Sequence, residues 1–452
     1  MTERMDSWWV KLLPAVFRRR FERRIAAQQV IANTFWLSCD YVFRLSIGVV
    51  VNVWMARYLG PQQFGQLSFA TAFAGLFAAF STLGLDVVIV RDLAKSPHAQ
   101  AVTLGSAWIL KFLGSIAAIV LAVTAIAWIR PDDGLSFWLV FLFASVFLFQ
   151  SADVIDMWFR SSLRSKRSVL PKAIAIIAGA LGKSGLIIAG APLIAFAWMG
   201  LAEAVVGSIA LLGVFIWLGG ELKSWRIHSG RVCELLKEVF PLALSAMVII
   251  LYMRIDKIML GELLDDEAVG LYTAATKVFE VFYFIPSAFV MSLGPALVQA
   301  RESDAGNYLA RVEEMFSVVA IGTILIALPI SVFANPLITF IFGPNFTSAA
   351  PILQIHIWAL VFSALGVASG QYLLLEGFNS IILQRTALGA AVNILLNVLW
   401  IPRYGIVGAA WASLIAYGIA TCFLFQNVAS RRCLNLMVKS VFYPRVFAAL
   451  WR

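Results

Sequence analysis

Charge is what this sequence lacks. Only 13% of its 452 residues are Asp, Glu, Lys or Arg, about half the share in a soluble domain. Hydrophobic residues make up 61% and the mean hydropathy is +0.87. A water-soluble core cannot absorb that much apolar surface, so the composition points to a polytopic membrane protein. Cysteine is scarce as well: Cys39, Cys233, Cys422 and Cys433 show no CxxC or Cys/His spacing, which predicts neither a disulfide nor a metal site. The three histidines, His98, His228 and His356, are scattered. No Walker loop is present, which argues against ATP hydrolysis by this chain. There is no catalytic constellation, and no loop is long enough for a nucleotide-binding or transferase domain. The expectation is a carrier, not an enzyme. No small-residue cleavage site follows the first apolar run, so no secretory signal is expected.

What is there is a series of twelve apolar stretches, from Asn33–Tyr58 to Gly405–Gln426. Most are long enough for a hydrocarbon core of about 30 Å. Ahead of them, residues 1–32 set seven Lys/Arg among Trp8, Trp9, Leu12, Leu13, Val16, Phe17 and Phe21. That spacing reads as a basic amphipathic helix on the membrane surface, or else as a frayed basic tail. Of the 35 Lys and Arg, 26 fall in the N-terminal segment, the even-numbered loops and the C-terminal tail. The odd loops and their edges hold Arg57, Arg130 and Arg403. This asymmetry predicts that both termini are cytoplasmic. The net charge of +10 then faces anionic lipids, with no need for nucleic acid.

The two halves echo each other. Leu59-Gly60 returns as Leu260-Gly261, Gly65 to Thr71 as Gly270 to Thr276, Leu83-Gly84 as Leu293-Gly294, and Ala197-Trp198 as Ala410-Trp411. The order is kept while the offset grows from 201 to 213. A duplicated six-helix unit leaves this trace, and an even helix count makes the two units parallel repeats. The predicted fold is therefore all-α and integral to the membrane, with about twelve helices in two six-helix lobes around a central cavity. Its parts are residues 1–32, a first lobe over 33–222, a cytoplasmic linker over 223–238, a second lobe over 239–426 and a basic tail over 427–452.

Charges inside the oily runs are the candidates for function, because each costs about 2.5–3.5 kcal/mol to insert. Arg254 and Lys257 are three apart and share a helix face, while Asp256 points away. Two cations on one face suit an anion. Lys277 and Glu280 lie at a similar depth in the next span. Asp40 and Arg44 form either a self-neutralising pair or a ligand site. Lys111 and Lys183 are further candidates, though their long stems allow snorkelling. Glu203 has no local partner, which makes it a proton or cation candidate. Asp86, Asp153 and Asp156 read as anchors near the basic surface, and His356 as an interfacial residue. Pro241 and Pro286 predict kinks. The last four spans carry essentially no charge.

Met55 to Gly65 (MARYLGPQQFG) and Leu83 to Arg91 (LGLDVVIVR) resemble the opening of Wzx-type polysaccharide-repeat flippases. So do Arg254 to Gly261 (RIDKIMLG), Val269 to Thr276 (VGLYTAAT) and Tyr404 to Ala410 (YGIVGAA). The resemblance runs from about Asn33 to Gln426, within the multidrug/oligosaccharidyl-lipid/polysaccharide exporter superfamily. It implies an inner-membrane carrier of bacteria that moves undecaprenyl-diphosphate-linked oligosaccharide outward by alternating access, for O-antigen, capsule or exopolysaccharide. Polysaccharide polymerase and chain-length regulator proteins are the implied partners. The implied substrate cations are Arg44, Arg254, Lys257, Lys277 and Lys111; Asp40, Glu203, Asp256 and Glu280 serve charge balance or ion coupling. No cofactor is implied beyond a coupling proton or sodium ion. A drug/cation antiporter, a peptidoglycan-precursor flippase and a non-transporting scaffold are the competing readings.

Overall fold

The computed structural model describes residues 25–96, 99–303, 305–425 and 428–442. Most of the predicted N-terminal surface helix, together with His98 and Arg445, lies outside them. Among the described residues there are helices and turns but no strand. That is what a bilayer demands, because a helix satisfies its own backbone where no water can. The principal helices are α1 (Ile25–Leu76), α2 (Leu85–Lys95), α3 (Gln100–Ile129), α4 (Gly134–Ser161), α5 (Lys166–Ile188) and α6 (Leu193–Trp217). They continue with α7 (Ser229–Leu263), α8 (Asp266–Ser303), α9 (Ala305–Val332), α10 (Ala359–Leu375), α11 (Asn379–Cys422) and α12 (Val428–Phe442). Among the described residues, eight helices are long and apolar enough to cross a membrane, or ten if two bent pairs each count as one span.

Two of the eight are hairpins. Within α11, Gly405 takes φ 61°, a left-handed conformation that costs glycine little. The chain folds back there: Asn393 Nδ2 reaches Ser413 Oγ at 3.5 Å, whereas 20 residues of straight helix span about 30 Å. Gly60 breaks α1 in the same way with φ 72°. Before it, Tyr41 stacks on Phe284 of α8; after it, Gly75 lies against Arg254 of α7. Other expectations shift. The second predicted span, Leu67–Val90, is in three pieces, interrupted near Phe77 and at Leu83-Gly84, where both residues have positive φ. A 43° bend follows Pro241, as predicted, but Pro286 lies inside an unbroken helix. The predicted tail is in part a helix: α12 packs Cys433, Met437 and Ser440 against α9. Burial there pushes the Cys433 thiol up to about 12. Since the thiolate is the reactive form, N-ethylmaleimide should label exposed Cys233 well before Cys433, as peptide mass spectrometry would read.

The halves meet most closely at the end of the bundle where Gly60 turns. A Cβ on Gly65 would sit 1.7 Å from the Asp266 carbonyl oxygen, and one on Gly270 would sit 2.0 Å from that of Pro61. Pro61 and Asp266, like Gly65 and Gly270, are 205 positions apart. The contact therefore maps onto itself when the repeats are exchanged, as at a local two-fold axis. Beside this seam Arg130 reaches from the α3–α4 turn across to Glu262 (2.7 Å), Asp266 (3.0 Å) and the Gly261 carbonyl (2.7 Å). Its guanidinium also lies 3.9 Å from the centre of the Phe69 ring. Burial opposes the Arg130 charge, but Asp266 and Glu262 outweigh it and hold the group above its ordinary value. Burial likewise would raise the Asp133 carboxyl, yet hydrogen bonds from the Ser136 hydroxyl and backbone N–H, with Arg130 alongside, keep it below the usual carboxylate range. At the opposite, basic end, Arg91 bonds Asp92 and Glu238, and Arg231 bonds Asp92. Arg91 and Glu238 are exposed, and pairs of that kind contribute about 0–1 kcal/mol.

Candidate functional site

The predicted charges separate into distinct groups. The first lies where α7 and α8 face α1. Arg254 extends from α7 to the α1 hairpin, where its Nη1 donates to the Thr71 carbonyl at 3.2 Å. Gly75 leaves room for it, since a Cβ there would come within 2.5 Å of the guanidinium. Lys277 and Glu280, one turn apart on α8, pair at 2.6 Å. Glu280 attracts Arg254 and Lys257 as well. Lys257 makes no hydrogen bond or ion pair among the described residues. Three cations thus gather around Glu280, with the Asp256 carboxylate also acting on Lys257, so cations outnumber acids by one. A cation is kept there at a cost, and an anionic ligand would offset it through charge-assisted contacts.

Asp256 faces the other way and is buried. Its carboxylate accepts from Asn397 Nδ2 (2.6 Å), Tyr272 Oη (2.7 Å) and Ser413 Oγ (2.7 Å). Asn397 Nδ2 also donates to Asn393 Oδ1 at 3.2 Å. His356, read from the sequence as interfacial, is instead buried among Tyr272 and Phe279, with ring centroids 5.7 and 5.0 Å away. In the sequence the apolar run starts at Leu353, whereas the helices Pro344–His356 and Ala359–Leu375 form one bent pair with His356 at its middle. The Asn397 Oδ1 and His356 Nδ1 atoms are buried without a partner. Two hydroxyl oxygens and an amide nitrogen thus ring the acid, and hydroxyl oxygens beside a carboxylate suit a proton or a small hard cation. No group of three or more His, Cys, Asp or Glu fit for a metal occurs among the described residues. Tyr272, Asn393, Asn397 and Ser413 escaped the sequence reading because they carry no charge. The Asn pair at i, i+4 inside an apolar run was their available signal.

The remaining candidates are neutralised. Arg44 pairs with Asp40 at 2.9 Å, one turn below it on α1. Lys111 is buried against Asp86 at 3.6 Å, so it does not snorkel. Glu203 does have a partner: Lys183 of α5 reaches it at 2.7 Å. Asp156 holds both Arg160 (2.6 Å) and Lys172 (2.7 Å), and Lys172 also reaches Asp153 at 3.7 Å. Arg44, Lys183 and Glu203 line a cavity of about 220 Å³ between α1, α5 and α6. The later spans are not free of charge either. Arg385, counted as a loop cation, is buried in α11 and donates to Ser369 Oγ and the Gly366 carbonyl, both at 2.7 Å. Glu313 is buried in α9, with Lys439 at 3.4 Å.

Residues 30–301 match the family described as polysaccharide biosynthesis protein. The chain belongs to that family. Among curated relatives of this family member is the probable low-salt glycan biosynthesis flippase Agl15 of Haloferax volcanii, 25% identical over 174 residues. That match takes in 38% of this chain and 36% of the relative. The probable flippase AglR of the same organism is 27% identical over 170 residues, 36% of this chain and 35% of the relative. The chain thus spans about a third of the length of the curated relatives it matches. Among solved structures, a lipid II flippase MurJ in an inward closed conformation aligns with a TM-score of 0.69 at 15% identity, over 93% of each chain. The shared fold is all-helical, and an inward-facing multidrug resistance MATE family transporter of the MOP superfamily aligns as well, with a TM-score of 0.63 at 14% identity over 90% of this chain and 98% of that one.

Proposed function

We propose that this protein is a flippase that carries an undecaprenyl-diphosphate-linked oligosaccharide across the membrane by alternating access. One observation carries the reading: three cations, Arg254, Lys257 and Lys277, gather around Glu280 where α7 and α8 face α1, and Lys257 makes no hydrogen bond or ion pair among the described residues. A diphosphate supplies the missing negative charge. The names of relatives as glycan and lipid II flippases support the choice of cargo. A drug/cation antiporter would need the opposite balance at this site.

In this reading each hairpin counts as two crossings, which brings the spans to the predicted twelve. The lobes are residues 33–222 and 239–426. The sealed end with Gly65 and Arg130 faces outward, and both termini face the cytoplasm of a bacterial inner membrane. The diphosphate occupies the space between the lobes, the sugars lie beside it, and the polyprenyl chain stays in lipid. The arginine and lysine side chains replace water around the diphosphate. Parting of the Gly65–Gly270 seam then opens the path outward, and a polymerase on the far side would consume the product. Lys111, paired with Asp86, has no part in the anion site, and Arg44 serves elsewhere. Asp256 is the coupling group: it takes a proton or sodium ion among Tyr272, Asn397 and Ser413.

The test is reconstitution of the purified protein into vesicles with a fluorescent undecaprenyl-diphosphate-linked oligosaccharide, reading probe protected from an external quencher. Protein-dependent flipping supports the reading; rates equal to empty vesicles refute it. Asp256→Asn should preserve downhill flipping and abolish its response to an imposed proton or sodium gradient.

A further inference from the structure

The cavity on α1 differs from the Arg254 group in its charge balance. Of its charged walls, Arg44 is met by Asp40 and Lys183 by Glu203, so the cavity is neutral overall. A neutral cavity with polar groups set in an apolar wall attracts neither an anion nor a cation. It suits a ligand that needs donors and acceptors together. Arg44 and Lys183 donate, Glu203 accepts, and an amide does both. Asn52 supplies that amide: its Nδ2 donates to the Gly48 carbonyl at 2.7 Å, and its oxygen has no partner among the described residues. Val51 and Met55 add aliphatic wall between these groups. Hydroxyl edges alternating with C–H faces are what a sugar ring presents.

The cavity is also built. Gly179 lets the Glu203 carboxylate cross from α6 to Lys183, since a Cβ there would lie 2.3 Å from Oε2. At about 220 Å³ it is smaller than the roughly 300–1,000 Å³ of drug-sized sites. It has room for one sugar ring rather than a chain. Its position fits a ligand shared with the cationic group. Tyr41, one turn from Arg44, stacks on Phe284 of α8 at 4.9 Å, so the cavity adjoins the line where the halves meet.

We infer that this cavity binds the sugar nearest the lipid diphosphate, through Asn52, Lys183 and Glu203, while Arg254 and Lys257 hold the diphosphate itself. The inference rests on the flippase reading and deepens it by assigning the two chemically different parts of one substrate to two sites, one cationic and one neutral.

The experiment measures binding of two probes to the full chain in nanodiscs: undecaprenyl diphosphate, and undecaprenyl diphosphate bearing one N-acetylglucosamine. Two or more hydrogen bonds to the sugar predict a preference for the second probe of about tenfold or more. Glu203→Gln with Lys183→Met should remove that preference and leave affinity for the bare lipid unchanged. Ala180→Phe, which fills the cavity without touching a charge, should do the same, and it serves if the double variant folds poorly. Arg254→Ala with Lys257→Ala should weaken both probes alike. Equal affinity of the unmodified protein for the two lipids, or a preference that survives both cavity changes, overturns the sugar site while the anion site stands. Failure of the unmodified protein to bind either lipid overturns the flippase reading and this inference with it.

Discussion

Replacing Arg254 and Lys257 together by alanine should abolish flipping in reconstituted vesicles and leave the fold at least as stable as before. The two halves of this expectation come from one fact. Among the described residues Lys257 makes no ion pair, and Arg254 makes a single hydrogen bond, to a backbone carbonyl. Removing a partner from a buried pair strands the other charge and costs about 3–5 kcal/mol. Here little is stranded, and the cost of holding the cations in an oily layer disappears with them. Bound diphosphate is another matter. Each charge-assisted hydrogen bond contributes about 1.5–3 kcal/mol, so two lost contacts lower substrate affinity by about two to four decades. Thermal melting and flipping rate, read on the same preparation, separate the effects. An unchanged rate would end the anion-site reading, and a collapse in melting temperature would mean the cations hold the fold. Lys183→Met supplies the contrast, because it strands Glu203 and should lower the melting temperature.

How much of this was legible in the sequence follows from what kind of signal each feature leaves. Gly60 and Gly405 were readable as boundaries, since glycine punctuates apolar runs where the chain reverses. Asp40–Arg44 and Lys277–Glu280 were readable because a helix brings i+4 and i+3 together. Lys183–Glu203 was not, since twenty residues separate them and only the packing of α5 on α6 joins them. Arg130 is an edge cation in the sequence, and the stretch from Glu262 to Glu267 is acidic. Nothing local tied them, yet Glu262 and Asp266 hold that arginine across 132 and 136 residues. The Asp256 ring stayed hidden for a different reason. Its partners are neutral, and hydropathy treats a tyrosine or serine in a span as unremarkable. Arg385 and Glu313 left no signal in the apolar runs, because those runs mark where a helix is oily, whereas the real helices continue beyond them.

The seam at Gly65 and Gly270 gives the second large effect. Gly65→Ala with Gly270→Ala should hold the sealed end open and stop transport while protein levels stay normal. An alanine methyl at Gly65 would sit 1.7 Å from the Asp266 carbonyl oxygen, and one at Gly270 2.0 Å from that of Pro61. Both obstacles are backbone, so no side-chain rotation relieves them. The closed arrangement must part by more than an ångström on both sides of the axis. Overpacking of this kind costs about 1–3 kcal/mol per site, and the open arrangement, in which the glycines are apart, bears none of it. A few kcal/mol applied to one of two states is enough to reverse their populations. The check is a cysteine pair at Gln62 and Glu267, which line the same cavity beside the seam and are themselves 205 positions apart. Bifunctional maleimide should join them in the otherwise unmodified chain and fail to do so in the alanine variant. The carbonyls of Pro61 and Asp266 are equivalent under the repeat, so each single substitution should produce a similar, smaller loss of cross-linking. A double variant that cross-links as before would show that the seam tolerates the methyl groups and is not the closed gate.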